Sequence, residues 1–225
     1  MKKINTLLAA SVFAATAGVS APVMADLSAN AGFVSDYYYR GQSLGDAGLY
    51  AGVDYETGGF YAGVWVIDDG GTGEEGGNDG LETDFYVGYG IDLGGVSVSI
   101  GYTAYEYTYT GDSEDEINLG VGYGAFSFDY ADGTAEADGA EADYIFYSLG
   151  WSGEVFAATY GHGESDESGD DSQYDYFELS ASGEISGLDV TATIGKTTNV
   201  EDAAGNGDDS GDGYMVLDIS KSFDL

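Results

Sequence analysis

From about residue 26 onward, hydrophobic and polar positions alternate with a period of two along most of the chain. Leu49, Ala51, Val53 and Tyr55 stand opposite Tyr50, Gly52, Asp54 and Glu56, and Phe85, Val87, Tyr89 and Ile91 stand opposite Asp84, Tyr86, Gly88, Gly90 and Asp92. The same holds for Val96, Val98, Ile100, Tyr102 and Ala104 against Ser97, Ser99, Gly101 and Thr103. It holds again for Ile117, Leu119, Val121 and Tyr123 against Asn118, Gly120, Gly122 and Gly124, and for Leu188, Val190, Ala192 and Ile194 against Asp189, Thr191, Thr193 and Gly195. This is the pattern of strands with one apolar face and one face of small or polar residues. With the less regular stretches it predicts twelve strands, near 27–39, 48–56, 59–67, 81–92, 95–107, 115–124, 125–131, 142–152, 154–162, 173–183, 187–197 and 213–225. Most run to about 9 to 12 residues, the length a tilted strand needs to cross a bilayer and roughly twice the usual globular strand. A count of ten or fourteen also fits, because the sixth and seventh strands are joined so tightly.

The connections alternate in length. Five are tight: Thr57-Gly58-Gly59, Leu93-Gly94-Gly95, Gly124-Ala125, Gly153-Glu154 and Gly183 to Gly187. The others, Asp68 to Gly80, Thr110 to Glu114, Ala131 to Glu141, Gly163 to Ser172 and Thr198 to Asp212, are mostly longer and rich in acid. Short turns at one end and long loops at the other are the rhythm of an outer-membrane β-barrel, whose long loops face outside. The fold expected is therefore all-β, a single antiparallel transmembrane barrel of about twelve strands over residues 26–225. A secreted, acid-surfaced β-sandwich is the soluble alternative, but it calls for shorter strands and for acids spread over the strand faces.

Composition sharpens this reading. Among 225 residues there are 41 Asp plus Glu against 5 Lys plus Arg, a formal net charge of -36, with 38 Gly, 20 Tyr, one Pro and no Cys. So many Gly disfavour helices, since each interior Gly costs a helix about 1 kcal/mol relative to Ala. Nucleic acid is excluded as a partner, because phosphate binding needs a Lys or Arg surface. The absence of Cys removes disulfides, thiolate metal sites, a Cys nucleophile and a lipoprotein anchor. Residues 1–25 read as a secretory signal: Lys2 and Lys3 at the start, an apolar stretch from Leu7 to Val19, and Val23-Met24-Ala25 as the cleavage triplet. Past it, Arg40, Lys196 and Lys221 are the only Lys or Arg, and no run is long and apolar enough for a membrane helix.

The segment from Val34 to Asp46, VSDYYYRGQSLGD, follows SANAGFVSDY from Ser28 to Tyr37 and precedes a Gly-Phe-Tyr-Ala-Gly stretch at Gly59 to Gly63. It resembles the opening of the TorF family of porins over about 40 residues. That resemblance implies a Gram-negative outer-membrane barrel that passes small solutes, with no established substrate and no catalytic residues. Such a protein meets outer-membrane lipid, lipopolysaccharide and the barrel-assembly machinery. The C-terminal Ser222-Phe223-Asp224-Leu225 only partly matches the aromatic ending that this machinery reads, and Lys221 interrupts the apolar face of the last strand.

The candidate pore-lining residues are Arg40, Asp54, Asp84, Asp92, Glu178, Asp189 and Asp218. Wall carboxylates in a narrow channel select cations, so the channel expected passes small hydrophilic solutes or ions with a cation preference. A plugged interior, leaving a non-conducting structural or adhesion barrel, is the alternative. Arg40, placed at the end of the first strand beside Asp36, is expected either to act as an eyelet charge or to hold the first loop against an acidic wall. No enzyme, cofactor or metal is expected. The clusters Asp68-Asp69, Glu74-Glu75, Asp112 to Glu116, Asp166 to Asp171 and Asp208 to Asp212 lack the spacing of a calcium loop. His162 is followed by Glu164, Ser165 and Asp166, the residue types of a hydrolase triad, but no Gly-x-Ser-x-Gly elbow is present. Tyr37, Tyr38, Tyr39, Tyr105, Tyr107, Tyr109, Tyr144, Tyr147, Trp151, Tyr174 and Tyr176 lie near strand ends, where they are expected to form membrane-interface girdles.

Overall fold

In a computed structural model that describes residues 26–68, 80–108, 110–137, 139–167, 170–200 and 213–225, the alternating segments form fourteen strands. They are β1 (Asp26–Val34), β2 (Tyr37–Tyr39), β3 (Gln42–Gly45), β4 (Gly48–Thr57), β5 (Phe60–Asp68), β6 (Leu81–Asp92) and β7 (Val96–Tyr107). Then follow β8 (Ser113–Tyr123), β9 (Phe126–Ala137), β10 (Ala140–Ser152), β11 (Phe156–Glu167), β12 (Asp170–Ile185), β13 (Leu188–Val200) and β14 (Gly213–Asp224). β1 and β4 to β14 pair antiparallel with their chain neighbours, and β1 also pairs with β14, so twelve strands close a barrel. This single closed sheet replaces the sandwich alternative, and closure removes every free strand edge. The remaining pair, β2 and β3, is a separate two-stranded sheet.

All five tight turns lie at one end. Ile185 pairs with Leu188 across Ser186 (φ 57) and Gly187 (φ 81), and Thr57 pairs with Phe60 across Gly58 (φ 58) and Gly59 (φ 90). Positive φ at both central residues is the I′ geometry whose twist matches the flanking strands. Asp26, opposite Glu56, and Asp224, opposite Ser28, lie at this same end.

Several strands run further than the sequence pattern predicts. β9 reaches Ala137 and β10 starts at Ala140, while β11 reaches Glu167 and β12 starts at Asp170. The acidic stretches Ala131 to Glu141 and Gly163 to Ser172, expected as loops, are thus largely hydrogen-bonded ladder. A ladder needs no apolar face to continue, so the acidic residues there do not end it. The first strand is corrected in the other direction: it ends at Val34, not residue 39. Residues 1–25 and 201–212 lie outside the described residues, as do Asp69, Glu74, Glu75 and Tyr109.

The register fixes which side chains face out. On β8 these are Ile117, Leu119, Val121 and Tyr123; on β10, Ile145, Tyr147, Leu149 and Trp151; on β12, Phe177 and Leu179. The outward face turns from apolar to charged at Glu106, Asp115, Asp132, Asp143, Asp175 and Lys196. At that boundary Tyr130 donates to Asp132 (3.2 Å), Tyr160 donates to Asp175 (2.8 Å), and Tyr102 donates to Asp115. At the tight-turn end Tyr55, Phe60, Tyr89, Tyr123, Phe126, Trp151 and Phe156 are exposed outward. An apolar belt of about four outward positions per strand between two aromatic rings has the height of a bilayer's hydrocarbon layer.

Candidate functional site

The inward face is polar and acidic. The ladders place Asp54, Asp84, Asp92, Glu178, Asp189 and Asp218 on it, together with Glu82, Glu114, Glu116 and Asp129. Lys196 and Lys221 stand on outward positions, so among the described residues Arg40 is the one Lys or Arg inside the wall. Glu82 and Glu116 are not among the candidate residues although they fall inside the expected strands 81–92 and 115–124, and parity finds them: each is an even number of residues from an inward neighbour, Asp84 and Asn118. Both are buried, as is Asp84, one of whose oxygens has no hydrogen-bond partner.

The chain leaves the wall at Ser35, whose N–H donates to the Leu217 carbonyl and whose hydroxyl accepts from the Leu217 N–H, both at 2.9 Å. It then turns inward. Tyr39 pairs with Gln42 across Arg40 (φ 49) and Gly41 (φ 79), a two-residue turn with both central residues left-handed. Asn, Asp and Gly suit that conformation and Arg does not, so a side-chain role has to account for Arg40. Its guanidinium meets Glu116 on the far wall through two bonds of 2.8 and 2.9 Å. Tyr105 and Tyr144 donate to the same carboxylate at 2.7 and 3.1 Å, and the Arg40 guanidinium lies 4.4 Å from the Phe146 ring and 4.7 Å from that of Tyr39. Burial by itself would lower the Arg40 pKa, but the neighbouring Tyr39 hydroxyl, Glu116 and Tyr105 outweigh it and raise it above its ordinary value. Arg40 is a fixed cation.

The rest of the hairpin is held on both sides of the lumen. Tyr37 donates to Glu82 at 2.8 Å, and the Tyr39 and Tyr105 hydroxyls are 3.2 Å apart. On the opposite side Tyr38 stacks on Tyr214 with ring centroids 3.9 Å apart, and the Thr197 hydroxyl donates to the Gly41 carbonyl. The hairpin therefore crosses the barrel interior from β6 and β8 to β13 and β14. Arg40 thus ties the hairpin to the acidic wall. Its partner is Glu116 rather than the adjacent Asp36.

The tyrosines expected as girdles mostly face the other way. Tyr105, Tyr107, Tyr144, Tyr174 and Tyr176 point into the lumen, and Tyr37, Tyr38 and Tyr39 ride on the hairpin; only Tyr147 and Trp151 of the described set face out. The inward rings lie flat on the wall over glycines directly across the ladder: Tyr50 on Gly32, Tyr86 on Gly63, Tyr61 on Gly88, Tyr144 on Gly133, Tyr176 on Gly161, Tyr174 on Gly163 and Tyr214 on Gly195. A Cβ at any of these glycines would collide with the ring. The Gly excess thus seats tyrosines as well as lining the lumen with small groups. Gly133→Val is expected to lift Tyr144 away from Glu116 and to cost about 1 to 3 kcal/mol, the usual price of overpacking. A lowered midpoint of the heat-induced mobility shift of the folded barrel would register that loss.

His162 faces outward, and its two ring nitrogens lie 2.8 Å from Asp175 and 3.0 Å from Glu164, so each stands against a carboxylate oxygen. Ser165 faces inward, opposite Tyr144 on the ladder, so no Ser–His pair forms here. Among the described residues no group of three His, Cys, Asp or Glu is arranged to hold a metal ion.

The profile of a bacterial protein family of unknown function, Gcw_chp, matches residues 16–210. No curated protein matches the sequence. Among solved structures, one from a study of the in-meso crystallization of membrane proteins aligns with a TM-score of 0.57 at 7% identity, over 89% of this chain and 84% of that one. Pseudomonas aeruginosa OccK2 (OpdF), solved in complex with glucuronate, aligns at 0.43 and 12% identity, over 89% of this chain and 62% of that one. A BenF-like porin from Pseudomonas fluorescens Pf-5 aligns at 0.45 and 10% identity, over 85% of this chain and 59% of that one. The chain thus spans about three fifths of the length of the last two.

Proposed function

We propose that this chain, which belongs to the Gcw_chp family of bacterial proteins, is a porin-like channel of the outer membrane, exported by its N-terminal signal and passing small hydrophilic solutes and ions by diffusion, with cations preferred. One observation carries the reading: the wall divides into an apolar outward belt and an inward face of carboxylates with a single described cation, Arg40, already paired with Glu116. A soluble barrel gains nothing from an apolar exterior, since a patch of that size promotes association. A lumen of one sign attracts counter-ions and repels anions. The opening segment that resembles TorF porins coincides with the luminal hairpin, which makes that segment the constriction of the proposed channel. The outward belt and aromatic rings face outer-membrane lipid, and the barrel-assembly machinery is the partner that inserts it.

The test is a reversal potential in planar bilayers under a KCl gradient. Current carried mainly by K⁺ is the expected result, and a reversal potential of the opposite sign would refute the charge argument. The hairpin also favours a second reading, a barrel closed at rest that conducts only when the hairpin moves. A silent wild-type bilayer with a conducting Glu116→Gln variant would select it.

A further inference from the structure

The place that Arg40 fills has the parts of a binding site for a planar organic cation. Glu116, whose side chain is 1% exposed, presents both oxygens to one guanidinium edge, the arrangement in which a free guanidinium pairs with a carboxylate. Its plane does not depend on Arg40, because Tyr105 on β7 and Tyr144 on β10 donate to it from the wall. Phe146 on β10 covers one face of the cation. Glu116, Tyr105, Tyr144 and Phe146 all belong to the wall, whereas Arg40 and Tyr39 come from the hairpin. The wall half of the site therefore stays assembled when the hairpin withdraws. A buried carboxylate left without a cation is costly, so the vacated site favours a replacement. Beside it, across the β6–β7 ladder from Tyr105, lies the buried Asp84, one of whose oxygens has no hydrogen-bond partner and can accept from an arriving N–H.

We propose that the Glu116 pocket recognises small guanidinium solutes, and that Arg40 is its tethered occupant, which such a solute displaces. The inference rests on the reading of the lumen as a solute path. Arg40, in a left-handed turn position that does not favour it, competes as an intramolecular ligand at high effective concentration. Free guanidinium compounds should accordingly bind the wild type weakly and bind tightly once the competitor is gone.

The experiment uses the full chain, refolded or purified in detergent and in planar bilayers, with methylguanidinium as the probe at millimolar concentration and tetramethylammonium, which has no N–H donors, as control. Arg40→Ala, Arg40→Lys and the double variant Arg40→Ala/Glu116→Gln are compared with wild type. Binding is read as a rise in the midpoint of heat-induced unfolding, which needs no conductance, and separately as block of the K⁺ current. Arg40→Ala should bind methylguanidinium about tenfold more tightly than either wild type or the double variant, the scale of one hydrogen bond to a charged group. Arg40→Lys should fall between, because an ammonium cannot make the bidentate pair. Equal responses in Arg40→Ala and the double variant, or an equal response to tetramethylammonium, would overturn the proposal. A thermal shift without any current in any variant would uphold the site and defeat the channel reading instead.

Discussion

Replacing Glu116 with Gln is expected to cost about 3 to 5 kcal/mol, the range for breaking a buried ion pair by removing one partner, and to raise single-channel conductance several-fold with frequent fluctuations. Little of either partner meets water: the Glu116 side chain is 1% exposed and that of Arg40 17%. Gln keeps one acceptor but loses the charge and the two-oxygen edge, so Arg40 remains inside the barrel with its main partner gone. The hairpin then rests on Tyr37–Glu82, the Tyr38–Tyr214 stack and the Thr197–Gly41 contact. Each is a neutral donor or ring, weaker than a bidentate charged pair. Arg40→Ala should cost less, because it leaves Glu116 with two tyrosine donors. Heat-induced mobility shift measures the stability, and bilayer recording the conductance. Unchanged conductance in Glu116→Gln would mean that the pair does not hold the constriction.

Leu119→Arg is expected to lose most of the folded barrel from the membrane fraction. Leu119 lies outward, four residues from Tyr123 at the tight-turn ring and four from Asp115 at the charged boundary, flanked by Ile100 and Tyr130 on adjacent strands. That is the middle of the belt, where an outward Arg costs a membrane barrel about 2 to 4 kcal/mol. In a water-soluble protein the same change would be neutral or improve solubility. The fraction of chain that resists unfolding at room temperature in detergent gel electrophoresis, after membrane fractionation, separates the two. A normal yield of membrane-inserted Leu119→Arg would contradict the placement of the belt.

The strand number and the two faces were legible from residues alone because period two persists through most of the wall, as from Val96 to Ala104 and from Ile117 to Tyr123. The hairpin was not. Tyr37 to Tyr39 continue the aromatic run of a strand, and Arg40-Gly41 lacks the Asn-Gly or Asp-Gly signature of a tight turn. Its partners are non-local: Glu116 lies 76 residues away and Thr197 156 residues from the hairpin tip. No local pattern encodes such a contact. The tyrosines failed for a different reason. An amphipathic ring suits a membrane interface and a wet lumen equally, and only face parity decides, as where Tyr176 shares its face with Glu178. Strand lengths beyond the belt were hidden because acidic residues without an apolar alternation look like loop, as from Asp132 to Glu141.

The proposed channel has a cation-preferring lumen whose constriction is the Tyr37–Gly45 hairpin. Its most direct measurement is the reversal potential and single-channel conductance, under a KCl gradient, of a chain in which residues 36–46 are replaced by a short Gly-Ser link. Removing the hairpin takes away Arg40 and leaves every wall carboxylate, so a larger conductance with a stronger K⁺ preference than wild type is the result expected. A folded, inserted barrel that stays silent, or that passes Cl⁻ in preference to K⁺, would contradict it.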